Sequence, residues 1–273
     1  MADMEVFYDT HAHIDYPDFQ PDFADVLRRA HAAGITKVIS IGTDLESSKR
    51  AIALAEAHEM IYAVVGWHPS YALDAPADIR QPLREFARHS KVVGLGETGL
   101  DFYRLPSAKG GTQADDDYYK RRQTEIFNQH VEVASEVGLN CVIHQRGDCL
   151  AETLALMKPY TGRVRGVFHC FAGDVQAMRS VLAQGSIVSF TGIVTFKNGD
   201  NVRETAATTP LDKLMLETDC PYLTPEPNRS RKRCEPADVK AIAEVVAKTK
   251  GCSLEELSKA TCATAHEFFP KLS

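Results

Sequence analysis

Asn140-Cys141-Val142-Ile143-His144 is a short β-prone run that ends on a side chain able to bind a metal ion. The same arrangement recurs through the chain, and its repetition decides the fold. Comparable runs occupy Glu5–Asp9, Lys37–Ile41, Ile61–Gly66, Val92–Leu95, Val164–Phe168, Ser186–Phe190 and Lys213–Glu217. With Asn140–His144 they make eight, the number a closed parallel barrel requires. Between them, Phe23–Ala33, Leu45–His58, Tyr118–Val137 and Val175–Ala183 have helical periodicity, and Gly34, Gly138 and Gly185 stand at C-cap positions. Strand alternating with helix implies a parallel sheet, so the sequence predicts an α/β fold, a (β/α)8 TIM barrel. After the eighth run, Ala237–Lys248 and Leu254–Phe268 read as two more helices. One completes the ring and the other is an additional C-terminal helix packed outside it.

The chain has 273 residues, 44% of them apolar, which is enough for one large core. No linker or repeat interrupts it, and the reading is one metal-dependent hydrolase barrel over residues 1–273. A formal charge of −6 disfavours general adhesion to nucleic acid or membrane. An anionic substrate must therefore be drawn by local positive charge or by bound metal. Cys141, Cys149, Cys170, Cys220, Cys234, Cys252 and Cys262 are scattered and lack paired zinc-finger spacing, which fits inert reduced thiols in the cytoplasm. No run approaches the ~20 apolar residues of a membrane span, and the start Met1–Glu5 lacks a basic, apolar signal. Leu105–Asp117, with Pro106, two glycines and three aspartates, reads as a loop over the barrel mouth.

A parallel barrel gathers the residues at its strand ends on one rim. In Asp9-Thr10-His11-Ala12-His13, residues two apart on extended backbone project to the same side, so both imidazoles can point into the mouth and chelate one ion. Gly94-Leu95-Gly96-Glu97-Thr98-Gly99-Leu100-Asp101 ends a strand in a glycine-rich turn, where Glu97 can bridge two ions at the spacing of ~3.5–4 Å usual for such sites. His144 and His169, each ending a run, suit the second ion. Asp219 follows the eighth run and returns beside the first when the barrel closes. It can complete the first ion's shell and hold or deprotonate the attacking water. Asp101 and Glu217 read as structural, Asp101 with the option of supporting a histidine. The expected catalytic groups are thus Asp219 and Glu97, and the expected metal ligands are His11, His13, Glu97, His144, His169 and Asp219. Arg146, and Arg229 and Arg231 in the basic run 229–233, are candidate phosphate contacts. His68, in Gly66-Trp67-His68-Pro69, is a candidate substrate contact, and Trp67 either stacks on a base or packs. His31, His58, His89, His130 and His266 fall on predicted helices and read as non-ligands.

Taken together, the stretches Asp9–Asp15, Gly66–Pro69, Val93–Arg104, Gln123–Gln129 with His144-Gln145-Arg146, Gly166–Gly173 and Leu216–Pro225 resemble the TatD family of metal-dependent deoxyribonucleases, within the amidohydrolase-like barrels. The resemblance spans most of the chain. It implies two divalent ions, Mg, Mn or Zn, with His11, His13 and Asp219 on the first, His144 and His169 on the second, and Glu97 on both. It also implies hydrolysis of DNA, and a recessed rim, which admits a strand terminus more easily than an intact duplex, points to cutting from a single-stranded or exposed end. The alternative is amide, ester or lactone hydrolysis, including deacylation of D-aminoacyl-tRNA. One departure concerns the loop after the eighth strand, where Cys234 stands in place of the family's usual asparagine and a rearranged loop is expected.

Overall fold

The computed structural model describes residues 5–273, so all but Glu5 of the Met1–Glu5 start lies outside the described residues. Eight parallel strands pair in sequence order: β1 (Phe7–Ala12), β2 (Ile35–Ile41), β3 (Ile61–Val65), β4 (Val92–Asp101), β5 (Asn140–Arg146), β6 (Gly166–Phe168), β7 (Ile187–Phe190) and β8 (Leu214–Leu216). Helices follow each strand: α1 (Phe23–Ala32), α2 (Leu45–Ala57), α3 (Arg80–Ala87), α4 (Gln113–Val137), α5 (Leu150–Met157), α6 (Val175–Ala183), α7 (Asp200–Thr208) and α8 (Val239–Lys250), with α9 (Leu254–Phe268) in addition. This is the predicted TIM barrel with its extra C-terminal helix.

The seam is closed beyond β8 rather than along it. Ala12 bridges Cys220, Asp219 N donates to His11 O at 2.9 Å, and His13 N donates to Cys220 O at 2.8 Å. The Thr218 hydroxyl and amide both donate to Asp9. Closing the barrel and bringing Asp219 to His11 are therefore one event.

Alternation along the strands separates two cores. Val38, Ala63, Val65, Leu95 and Ile143 face the helices, whereas Ile39, Ile41, Val64, Val93, Val142, Ile187 and Met215 fill the barrel. Phe268, Phe269 and Leu272 join this interior cluster. The end of α9 thus seals the floor of the barrel, instead of packing wholly outside as the sequence suggested.

Two further expectations change. β4 does not end at Leu95 but runs on to Asp101, pairing with β5 as far as Asp101–Arg146. The Leu105–Asp117 loop is mostly ordered structure: a 3₁₀ turn at Pro106–Lys109, then α4 from Gln113. Thr112 accepts from Asp115 N, Asp115 accepts from Thr112 N, and Asp116 accepts from Ser107 N at 2.8 Å. The run of aspartates is a helix N-terminus, where carboxylates satisfy unpaired amides and favour the dipole.

Candidate metal centre

Two bulges aim the first side chains. Between the pairs Asp9–Val38 and Ala12–Ser40, β1 has two residues, Thr10 and His11, opposite one on β2. Between Leu95–Cys141 and Thr98–Ile143, β4 places Gly96 and Glu97 opposite Val142 alone. A bulge redirects one side chain at a strand's end, and here it turns His11 and Glu97 into the mouth. Glycine makes the second bulge possible. A Cβ at Gly96 (φ +139°) would lie 2.5 Å from Val142 O, and one at Gly99 (φ +134°) would lie 2.1 Å from His144 O.

Glu97, 2% exposed, stands at the centre with its two oxygens turned to different histidines. Oε2 lies 3.3 Å from His11 Nε2 and 3.7 Å from His13 Nε2. Oε1 lies 2.8 Å from both His144 Nδ1 and His169 Nε2. Asp219 Oδ1 is 3.4 Å from His13 Nε2 and 3.7 Å from His11 Nε2. All six residues predicted as ligands therefore meet in one place. His68 joins them, its Nε2 3.2 Å from both Glu97 Oε1 and His144 Nδ1. Its position inside the cluster was not anticipated; the Gly-Trp-His-Pro stretch at a strand end was the available signal. Ligand-capable atoms come within 4.8 Å of one another in three triplets: His11, His13 and Asp219; His68, Glu97 and His144; His11, His169 and Glu217.

On the side away from Glu97, three of the imidazoles face an acceptor. His13 Nδ1 donates to Ile41 O at 3.3 Å, and its Nε2 faces the carboxylates of Asp219 and Glu97. His144 Nε2 faces Asp101 Oδ2 at 3.4 Å, and His169 Nδ1 faces Glu217 Oε1 at 3.6 Å. Both acids are themselves held, Asp101 by the amides of Tyr103 and Arg104 and Glu217 by the Cys170 amide. His130, on α4, supports the neighbouring strand ends: its Nδ1 donates to Ile126 O at 2.8 Å and its Nε2 accepts from Trp67 N at 3.0 Å. Burial pushes its pKa down to about 4, in keeping with that neutral tautomer.

Charge and burial oppose each other throughout the cluster. Burial raises Glu97, but His169, His68 and His11 outweigh it and hold the carboxyl well below the usual range. Burial likewise raises Asp219, and the bond from His13 with the nearby His11 brings it down. Burial lowers His169, yet Glu97 and Glu217 hold it well above an ordinary imidazole. His144 is raised in the same way, against burial, by Asp101 and Glu97. His11 is lowered, by burial and then by His169.

The donor set fits divalent cations. Both nitrogens of His11 are buried without a hydrogen-bond partner, although Nε2 points at two carboxylates. Such an orphaned atom is what coordination would satisfy. Imidazole and carboxylate are both donors that divalent cations accept.

The family model described as TatD related DNase matches residues 8–270. The chain belongs to the TatD-related DNase family. It is 35% identical over 265 residues to the uncharacterized metal-dependent hydrolase YabD of Bacillus subtilis, covering 97% of this chain and 99% of that protein. It is 33% identical over 269 residues to the 3'-5' ssDNA/RNA exonuclease TatD of Cronobacter sakazakii, with 97% and 98% covered. The crystal structure of YJJV, a TatD homologue from Escherichia coli K12, superposes with a TM-score of 0.87 at 26% identity, covering 98% and 99% of the two chains. This TatD-family chain is a metal-dependent hydrolase.

The basic residues of the rim divide. Arg146 is exposed and lies over the Tyr103 ring at 5.7 Å, and Arg229 lies over Phe196 at 3.5 Å. Arg231 instead pairs with Glu235 and Asp238, and Arg233 with Asp22. The two ion-paired arginines brace the loop after β8. Cys234 in that loop is fully buried, its amide donating to Pro221 O at 3.0 Å and its thiol pushed up by burial. All seven cysteines are free. No helix among the described residues is long and apolar enough to cross a membrane.

Proposed function

We propose that this TatD-family protein is a deoxyribonuclease that shortens single-stranded DNA from an end at a pair of divalent ions. His11, His13 and Asp219 hold one ion in this reading, His144 and His169 the other, and Glu97 both. The division of Glu97, one oxygen facing each pair of histidines, is the observation that carries it. Ions held there would supply Lewis acidity and would lower the pKa of water from about 15.7 toward ~7.

The side chains do the rest. Asp219, kept ionised by its histidine neighbours, orients the attacking water and accepts its proton. Asp101 and Glu217 keep His144 and His169 turned inward. Arg146 and Arg229 are available to flanking phosphates, whereas Arg231 already has two carboxylates. His68 steadies the scissile group beside Glu97. The nucleic-acid substrate is supported by relatives whose names describe single-strand exonucleases. The odd, scattered cysteines favour a reducing compartment such as the cytoplasm.

The test is metal analysis of the purified protein, followed by a side-by-side assay of a single-stranded oligonucleotide, an aminoacyl ester and a lactone with Mg²⁺, Mn²⁺ or Zn²⁺. Stepwise shortening of the oligonucleotide is expected, nearly abolished in His144→Ala while the circular dichroism spectrum is retained. Faster turnover of the ester or lactone than of DNA would replace the reading with acyl hydrolysis.

A further inference from the structure

The mouth of the barrel carries three tyrosine rings, of which Tyr16 also packs against the core whereas Tyr71 and Tyr222 do not. Tyr71 and Tyr222 are 44% and 53% exposed, and Tyr16 is half-buried. They come from three loops, those after β1, β3 and β8. Tyr16 stacks on His13, ring centroids 5.0 Å apart at 24°. Tyr222 meets both His13 and Tyr16 edge-on at 6.4 Å. Tyr71 lies beside the opposite member of the cluster, 6.0 Å from His68. Its backbone is fixed by Trp67, whose Nε1 donates to Tyr71 O at 2.7 Å, so Trp67 anchors the collar from within instead of stacking on a base itself.

The three phenols act within one field. Burial raises Tyr16 first, and the nearby Tyr222, Tyr71 and Glu97 raise it further. Arg104 is exposed in the loop that follows β4, its amide donating at 3.1 Å to Asp101, the acid behind His144. Beyond it, Arg146 lies over the exposed ring of Tyr103. Aromatic faces for bases alternating with cations for phosphates are what a groove for an unpaired strand requires.

Resting on the nuclease reading above, we infer that Tyr16, Tyr71 and Tyr222 form a stacking collar for the unpaired terminal bases of single-stranded nucleic acid, with Arg104 and Arg146 meeting the following phosphates. One face of Tyr16 is already covered by His13, so Tyr71 and Tyr222 offer the freer surfaces. Inside a duplex every base face but the outermost is covered by its neighbours, and only a single strand can splay successive bases onto separate rings. The collar is therefore a filter for unpaired ends, and it tolerates any base because every base has a π face.

The test compares single-stranded oligonucleotides that carry normal nucleotides throughout with ones whose last two positions, at either end, are abasic tetrahydrofuran sugars. Metal-loaded wild-type protein is expected to lose roughly 5- to 100-fold in kcat/KM when the bases are removed, the range of base–aromatic stacking. Tyr71→Ala and Tyr222→Ala should show a comparable loss on the normal strand, chiefly in KM, and most of that loss should disappear on the abasic one. Tyr71→Phe and Tyr222→Phe should retain the preference. Fluorescence anisotropy of a labelled oligonucleotide with EDTA-treated protein should give the same ranking without turnover. A wild-type enzyme indifferent to the terminal bases, or alanine variants equally impaired on both strands, would overturn the collar and leave the nuclease reading standing. Failure of the loaded wild-type protein to cut either strand would overturn the nuclease reading, and the collar with it.

Discussion

His144 and His169 face a buried carboxylate 3.4 and 3.6 Å behind them, whereas His13 has a backbone carbonyl behind it and His11, though near Glu217 as well, has no hydrogen-bond partner. The two halves of one cluster are thus held by different physics. On the β5–β6 side, Asp101 and Glu217 orient the rings and raise their affinity for protons. On the β1–β8 side, orientation comes from backbone: a bulge at Thr10–His11, the Ile41 carbonyl and the amides of the seam. Carboxylate support can be removed by mutation without disturbing the strands; backbone support cannot.

Glu97→Ala is the harshest way to break the contrast, because Glu97 alone faces both halves. Nuclease turnover should fall to background and both ions should be lost, as read by metal analysis after dialysis. His144→Ala should lose one ion and retain the other. Retention of both ions in Glu97→Ala would remove the bridging assignment.

A smaller and more selective effect is expected from Asp101→Asn and Glu217→Gln. Loss of such a supporting acid typically weakens metal affinity or activity by about 10- to 100-fold. The loss should fall on the ion of His144 and His169, so calorimetric titration should show one weakened site and one unchanged. Equal weakening of both sites would mean that the halves are not independently held.

The mildest test uses the metal-free protein. His169 is raised and His11 lowered, so NMR titration should show His169 keeping its proton well above the ordinary imidazole value while His11 gives up its proton below it. The sign for ion binding follows, since a protonated imidazole cannot ligate. As the pH falls, protons should displace the ion on the carboxylate-backed side first. The opposite order of titration would mean that burial outweighs Glu217.

Much of this was legible in the sequence, because alternating apolar runs fix a parallel barrel and a parallel barrel fixes where strand ends go. The six predicted ligands converge for that reason. What was not legible depends on register and on distant partners. Nothing in Gly94–Asp101 alone says that β4 continues through its glycines, since the continuation depends on pairing with β5. Arg231 reads as a free cation until Glu235 and Asp238 are seen folded against it. His68 looks like a peripheral contact until the short turn after β3 brings it to Glu97. Asp115–Asp117 look like loop because consecutive acids at a helix start and in a solvated segment differ only in which amides they meet.

The seam has a further consequence for how the protein behaves when loaded. His11 lies on the first strand, His13 just past its end and Asp219 just past the last, so a cation shared among them would buckle the two ends of the sheet together. Loading should then register as a rise in melting temperature that tracks RT ln(1 + [ion]/Kd), even in a variant with no turnover at all. In this barrel the cation would serve as a fastener for the fold as well as a reagent.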